Sequence, residues 1–236
     1  MDTSIKITTW PILTGLLAFA GAVFGQLFHH FFAAKRDKKK YKMEAYQKLY
    51  APILLNILLY IKIKTIHISH DANQNEDPEK MISEVIEHIG KNLGYAEPIV
   101  ITLYNNILTR KYFDDISEFY HDVEKLELLA YFLIDTINLF GSYELFVEKI
   151  KNEIGYVIVK YLIWIIFSIA VGDVNLGAEL ASLSYYLDNI KYRKSLVIKL
   201  IKIKNMKFED HNEYIKGTSI NYPFFTSDLR IRLKSA

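Results

Sequence analysis

Residues 10–34 read WPILTGLLAFAGAVFGQLFHHFFAA, and no Lys, Arg, Asp or Glu occurs anywhere from Ile7 to Ala34. As an α-helix, this stretch would be roughly 38 Å long, whereas about 20 apolar residues are enough to cross the hydrocarbon core of a bilayer. Pro11 falls in the first turn, where its missing N–H costs little. The stretch therefore predicts one N-terminal transmembrane helix over residues 10–34.

The charges on the two sides of this helix are strongly unequal. Before it, the charged side chains are those of Asp2 and Lys6, whereas a dense basic cluster follows it: Lys35, Arg36, Lys38, Lys39, Lys40 and Lys42. Because basic residues stay on the cytoplasmic side, residues 1–9 are expected outside and the rest of the chain inside the cell membrane. The cluster should also attract anionic lipid headgroups, and Trp10 is expected at the opposite interface.

Two alternatives compete with a membrane anchor. Ala18-Phe19-Ala20 resembles the cleavage site of a signal peptide, but the preceding region is barely basic and the apolar run continues past this site. The second alternative is a helix of a soluble helical hairpin. The membrane helix is the favoured interpretation because the charge-free run is long enough to span a bilayer.

Small residues are spaced along one part of the apolar stretch, at Ala18, Gly21, Ala22 and Gly25. A Gly-x-x-x-Gly pattern lets two membrane helices approach closely, so the sequence predicts self-association and a homo-oligomer. The alternative is that Gly and Ala are simply frequent in membrane helices.

The remaining composition favours an all-α fold. Gly (10) and Pro (5) are scarce among 236 residues, 51% of which are hydrophobic, and few turn residues over this length indicate long helices. The absence of cysteine excludes disulfides, thiolate metal sites and cysteine nucleophiles. The net charge of +2 divides into +5, −7 and +4 over residues 1–42, 43–171 and 172–236. This distribution does not suggest a nucleic-acid-binding surface.

Periodicity and turn residues divide the chain after the anchor. Pro52 is expected to kink or break the helix that continues from the basic cluster. Asp77-Pro78 reads as an N-cap followed by proline at the first helical position, and Gly172-Asp173 as a break between two helices. The predicted layout has four parts: a basic juxtamembrane helix at 35–70, a polar linker at 71–78, a helical bundle at 79–206 and an irregular aromatic-containing tail at 207–236.

A second apolar stretch lies at residues 154–171, where Lys160 is the one charged residue. A membrane span here would move residues 172–236 outside the cell, and their excess of basic residues opposes export. A helix at the centre of a bundle is also apolar on all sides. The favoured prediction is a buried bundle helix, with a second span as the alternative.

The sequence carries no phosphate-binding or catalytic motif, so no cofactor is predicted. The best metal candidate is Asp114, Glu118 and His121 on one helix face, since Glu-x-x-His occurs in di-iron bundles. Such a site needs two copies and two further Glu, and a single copy is present, so the favoured interpretation is an acidic first turn that complements the helix dipole, with a solvated His. His67, His70 and Asp71 lack an evident further ligand, and Glu84, Glu87 and His88 are interpreted as a polar surface.

A basic, amphipathic helix is predicted near the C-terminus, over residues 191–207. Lys194, Lys199 and Lys202 lie mainly on one side and Val197 and Leu200 on the other. Such a helix fits either a second contact with the anionic leaflet or a bundle helix with a solvated basic face.

Three functional hypotheses follow from these features. The leading one is a membrane-anchored helical interaction or adaptor protein without a catalytic site, whose protein partner the sequence does not identify. The second is a membrane effector or toxin of the defence type that oligomerises through its transmembrane helix. The third is a metal-dependent helical-bundle enzyme built on Glu118 and His121. Nucleic-acid binding is not expected.

Overall fold

The computed structural model describes residues 10–65, 77–110, 112, 118–141, 148–182 and 194–205, without the side chains of residues 10–14 and 16. Within these ranges every regular element is helical and no strand occurs, which confirms the all-α prediction. The α-helices are α1 (Trp10–Ala45), α2 (Ala51–Thr65), α3 (Pro78–Lys91), α4 (Pro98–Arg110), α5 (Glu118–Phe140), α6 (Glu148–Val171), α7 (Val174–Ser182) and α8 (Lys194–Lys204). A π-helical turn, Tyr46–Tyr50, joins α1 to α2, and a 3₁₀ turn, Leu93–Tyr95, lies between α3 and α4.

The chain forms two compact units, Met1–Glu44 and Ala45–Ala236. In the first unit, α1 begins at Trp10, where the sequence predicted the start of the anchor. In the second unit, the helices enclose one hydrophobic core. The domain boundaries predicted at residues 35, 71, 79 and 207 remain predictions.

Helix α6 lies at the centre of the second unit. It packs against α2, α5, α7 and α8, and Ile158, Tyr161, Leu162 and Ile165 are completely buried. The Tyr161 hydroxyl donates a hydrogen bond of 2.9 Å to the carbonyl oxygen of Ile57 in α2. The apolar stretch at residues 154–171 therefore supplies much of the bundle core.

Two predicted helix boundaries are present. Asp77 caps α3, because its Oδ1 accepts a hydrogen bond of 2.9 Å from the backbone N–H of Glu79, and Pro78 occupies the first helical position. Gly172 follows α6 in a left-handed conformation with φ of 72°, which glycine adopts without steric cost. Asp173 then caps α7 through the backbone N–H of Leu176, at 2.8 Å.

The interruption predicted at Pro52 is present in a different form. The chain stays helical through Pro52, and the α-helical register changes one turn earlier, where the Ala51 N–H bonds the carbonyl of Tyr46. Proline has no N–H for the carbonyl four residues back and its ring crowds that carbonyl. A wider π-helical turn just upstream accommodates both effects.

Helices α6 and α7 approach each other closely at Gly177. A Cβ atom at this position would overlap Ser168, including its backbone N and Cα atoms. The pair is held further by a hydrogen bond of 2.7 Å from the Trp164 indole N–H to the carbonyl oxygen of Val174.

Several sequence predictions lie outside the described residues: residues 71–76 of the linker, the His67, His70 and Asp71 cluster, Asp114, residues 191–193 and 206–207 of the predicted basic helix, and the tail at 207–236.

Candidate functional site

The large apolar side chains of α1 described from Leu17 to Phe32 are exposed. Seven large ones have exposed fractions between 59% and 69%: Leu17, Phe19, Phe24, Leu27, Phe28, Phe31 and Phe32. In the second unit such side chains form the core instead. An exposed apolar helix of this length indicates a surface that another apolar phase must cover.

By length and composition, two helical stretches of the described chain could cross a membrane, Leu17–Thr65 and Glu148–Val171. Their environments differ. None of the most apolar 18-residue window of the first stretch is buried, whereas 67% of the corresponding window in α6 is buried. The candidate site is therefore α1 rather than α6.

The predicted basic cluster forms the next turns of the same helix, since α1 continues to Ala45. Lys35, Arg36, Lys38, Lys39 and Lys40 are exposed and Lys42 is half-buried. The helix thus passes directly from exposed aromatic side chains to exposed cationic ones. The Trp10 side chain lies outside the described part of the structure.

The small residues of α1 also face open space. A Cβ atom at Gly21 or Gly25 would meet no heavy atom within 4 Å, and Ala18 and Ala22 are exposed. By contrast, a Cβ atom at Gly90 would overlap the hydroxyl end of the Tyr104 side chain, which would have to shift. Within the part of the chain that the structure describes, no contact explains glycine at positions 21 and 25.

The π-helical turn carries a buried polar contact that sequence reasoning missed. The Tyr50 hydroxyl donates a hydrogen bond of 2.5 Å to Oδ2 of Asp135 in α5, while the Tyr50 ring packs against Phe132 and Phe140. Burial raises the pKa of the Asp135 carboxyl to about 6. The hydrogen bond from the Tyr50 hydroxyl lowers this pKa in part. The negative charge of Glu97 raises it further, and a hydrogen bond from the Glu97 backbone lowers it. The sequence did contain a signal of this contact, because Asp135 is the one charged residue in residues 128–140.

His88 also has a role that the sequence did not indicate. Its Nε2 lies 3.0 Å from the carbonyl oxygen of Lys48, in the π-helical turn. In an α-helix that carbonyl would accept from the residue four positions on, which is Pro52 and has no N–H. His88 therefore contacts the π-helical turn through this carbonyl, at the position where Pro52 supplies no N–H.

Glu118 and His121 lie one turn apart at the start of α5. His121 lines a cleft of about 510 Å³ between α3, α4 and α5, together with Glu79, Glu87, Tyr104 and Lys125. Among the described residues, no three or more His, Asp or Glu side chains gather in a way that could hold a metal ion. Asp114 lies outside those residues, so the three-residue metal site remains a prediction.

The basic face predicted near the C-terminus belongs to a helix of the bundle. Val197 and Leu200 of α8 are buried, whereas Lys194, Lys199 and Lys202 are exposed. Lys204 forms an ion pair of 3.0 Å with Glu127 of α5. Helix α8 therefore contributes to the core and keeps a solvated basic side.

No protein family, characterised protein or solved structure matches this chain significantly. The residues and geometry described above therefore carry the functional argument alone.

Proposed function

We propose that the chain is a membrane-anchored interaction protein. In this proposal α1 spans the cell membrane through residues 10–34, and the helical bundle lies in the cytoplasm, where it binds another protein. The observation that carries the proposal is the exposure of the seven large apolar side chains of α1.

The magnitude of this exposure supports a lipid environment. Moving a large apolar side chain out of water gains about 1.5–3 kcal/mol. Because the helix already covers part of the surface of each of the seven side chains, burying the exposed remainder gains on the order of 10 kcal/mol. Helix α6, by contrast, gains its burial from the bundle. A membrane is therefore the natural environment for α1 and is not needed for α6.

The orientation rests on the basic residues that follow the apolar stretch. Residues 35–40 carry exposed basic side chains on the C-terminal side, and such clusters stay in the cytoplasm. The bundle follows them in the chain and is placed on that side.

Confinement to a membrane surface supports an interaction role, because it raises the effective concentration of the bundle toward other membrane components. The bundle also exposes aromatic side chains, at Tyr112 (87%) and Tyr120 (55%). Tyrosine is frequent among residues that dominate binding energy, so these two side chains are the proposed partner contacts.

The test is crosslinking and purification of the full chain from membranes of its native host. A matched version replaces residues 10–34 with an unrelated single-span helix of the same orientation. We expect both versions to resist alkaline extraction and to retain one specific partner, and Tyr112→Ala with Tyr120→Ala to lose it. A native chain released by alkaline carbonate would refute the anchor. A full chain without any specific partner would refute the interaction role.

A second candidate function is a membrane effector that self-associates through α1. The observation that favours it is the open space beside Gly21 and Gly25, because small residues allow close helix approach in lipid. Expression should then depolarise cells, and Gly21→Ile or Gly25→Ile should relieve this effect, whereas the control Ala20→Ile should not. Harmless overexpression of the native chain would exclude this candidate.

A further inference from the structure

The exposed side chains of α1 differ in chemistry from one side of the helix to the other. Phe24, Phe28, Phe31 and Lys35 follow one another at steps of four, three and four residues, which places them on one stripe of an α-helix. Lys39 follows one turn after Lys35 on the same stripe. Large apolar rings thus continue into cationic side chains along a single face.

The aromatic part of this face is contiguous in the structure. The rings of Phe28 and Phe32 stack with centroids 6.3 Å apart, and the rings of Phe31 and Phe32 meet edge-on at 5.8 Å. All three side chains remain exposed. From Phe24 to Phe32 the helix rises roughly 12 Å, which is within one leaflet of a bilayer.

The opposite side of the helix has a different character. Gln26, His30 and Asp37 lie there, at about half a turn from Lys35 in an α-helix. Asp37 is the one acidic residue among residues 35–42. Within residues 35–42, therefore, no carboxylate shares the side of Lys35 and Lys39, and these exposed ammonium groups are placed to contact an anionic group.

We infer that one face of α1 is a binding site for an anionic diacyl phospholipid. Its acyl chains lie along the phenylalanine rings and its phosphate contacts the ammonium groups one turn further on. The Phe–Lys face consists of Phe24, Phe28, Phe31, Lys35 and Lys39, and Phe32 lies at its edge. This inference rests on the proposed function, because it requires α1 to lie in a bilayer with this end at the cytoplasmic leaflet.

A site on one face differs from a collar of basic residues that attracts any anionic surface. In a collar, every cation within the cluster contributes alike. In a site, Lys35 and Lys39 matter more than Arg36 and Lys40, which have the same spacing but lie about 100° further round the helix. The two pairs therefore form a matched comparison with equal loss of charge.

The experiment uses the full chain in neutral detergent and counts bound lipids by native mass spectrometry, with phosphatidylglycerol and phosphatidylcholine as probes. We expect the native chain to bind phosphatidylglycerol selectively and Lys35→Gln with Lys39→Gln to weaken this binding about tenfold. The control double variant, Arg36→Gln with Lys40→Gln, should bind phosphatidylglycerol within about threefold of the native chain. Soluble glycerol phosphate should bind far more weakly than the lipid, because it lacks acyl chains.

Equal weakening in both double variants would overturn the inference in favour of a general basic collar. Equal binding of both lipids, or of glycerol phosphate and phosphatidylglycerol, would also overturn it. So would crosslinking that places the Phe–Lys face against a second copy of the chain. Alkaline extraction of the same proteins separates the two proposals: retention in membranes without lipid selectivity removes this inference only, whereas release removes the anchor itself.

Discussion

At the scale of single residues, Asp135 is the least expected feature of the bundle. It is a carboxylate in a nearly closed apolar environment, held by the Tyr50 hydroxyl at 2.5 Å. Breaking this contact removes one of the hydrogen-bond partners of a buried carboxyl group, and leaving a buried polar atom unsatisfied costs about 1–3 kcal/mol. A single acid within an apolar helical stretch signals such a contact, but the partner 85 positions away is visible only in the fold.

The raised pKa of Asp135 gives stability a definite pH dependence. Because the folded-state pKa of about 6 lies above the ordinary value of 3.8, the folded protein binds this proton more tightly than the unfolded chain. The contribution of Asp135 to stability is complete below about pH 3.8 and is lost as the pH rises through 6. Ionisation of Asp135 between pH 4.5 and 7 should lower the free energy of unfolding by about 2 kcal/mol.

Asp135→Asn removes this titration. Denaturant unfolding of the native chain and the variant at both pH values should therefore show the variant gaining about 2 kcal/mol relative to the native chain between pH 4.5 and 7. Using the difference between the two proteins cancels the titration of all other groups. Parallel stability curves across this range would mean that Asp135 does not titrate as described.

Gly177 is a residue at which α7 packs closely on α6. Gly177→Ala places a methyl group against backbone atoms of Ser168, so overpacking should destabilise the bundle by about 1–3 kcal/mol. Gly94→Ala is the control, because nothing lies within 4 Å of a Cβ atom there. Thermal unfolding in the same detergent compares them, and equal melting temperatures would contradict the close approach of α6 and α7.

At the scale of elements, the π-helical turn shows where sequence reasoning stops. Local rules predicted the N-cap of α3 at Asp77 and the break at Gly172, because both depend on side chains next to the boundary. The disturbance near Pro52 was also predicted. Its form was not, because the donor that contacts the Lys48 carbonyl is His88, 40 positions away.

The contact between His88 and the Lys48 carbonyl predicts a coupling with Pro52. His88→Ala should destabilise the native chain by about 1 kcal/mol, since it removes one hydrogen bond. In a Pro52→Ala background the chain regains an N–H for that carbonyl, so the same change should cost clearly less. A double-mutant cycle of unfolding free energies measures the coupling, and strict additivity would show that His88 does not substitute for the missing donor.

At the scale of the whole molecule, the two helices with long apolar stretches, α1 and α6, have opposite environments. The sequence alone favoured a buried α6 from the basic excess of the following residues, and the structure places α6 in the core. Composition could not decide this, because a core helix and a membrane helix are both apolar on all sides. The structure adds what hydropathy lacked, because the large apolar side chains of α1 described from Leu17 to Phe32 are exposed.

The central claim is that α1 is the one membrane anchor, with its N-terminal side outside and the bundle inside. Since the chain contains no cysteine, single-cysteine variants give an unambiguous reading with a membrane-impermeant thiol reagent. Ser4→Cys should be labelled in intact cells, and Ser235→Cys only after permeabilisation. Labelling of Ser235→Cys in intact cells would contradict the account: together with labelled Ser4→Cys it would indicate a second span, and with unlabelled Ser4→Cys an inverted anchor.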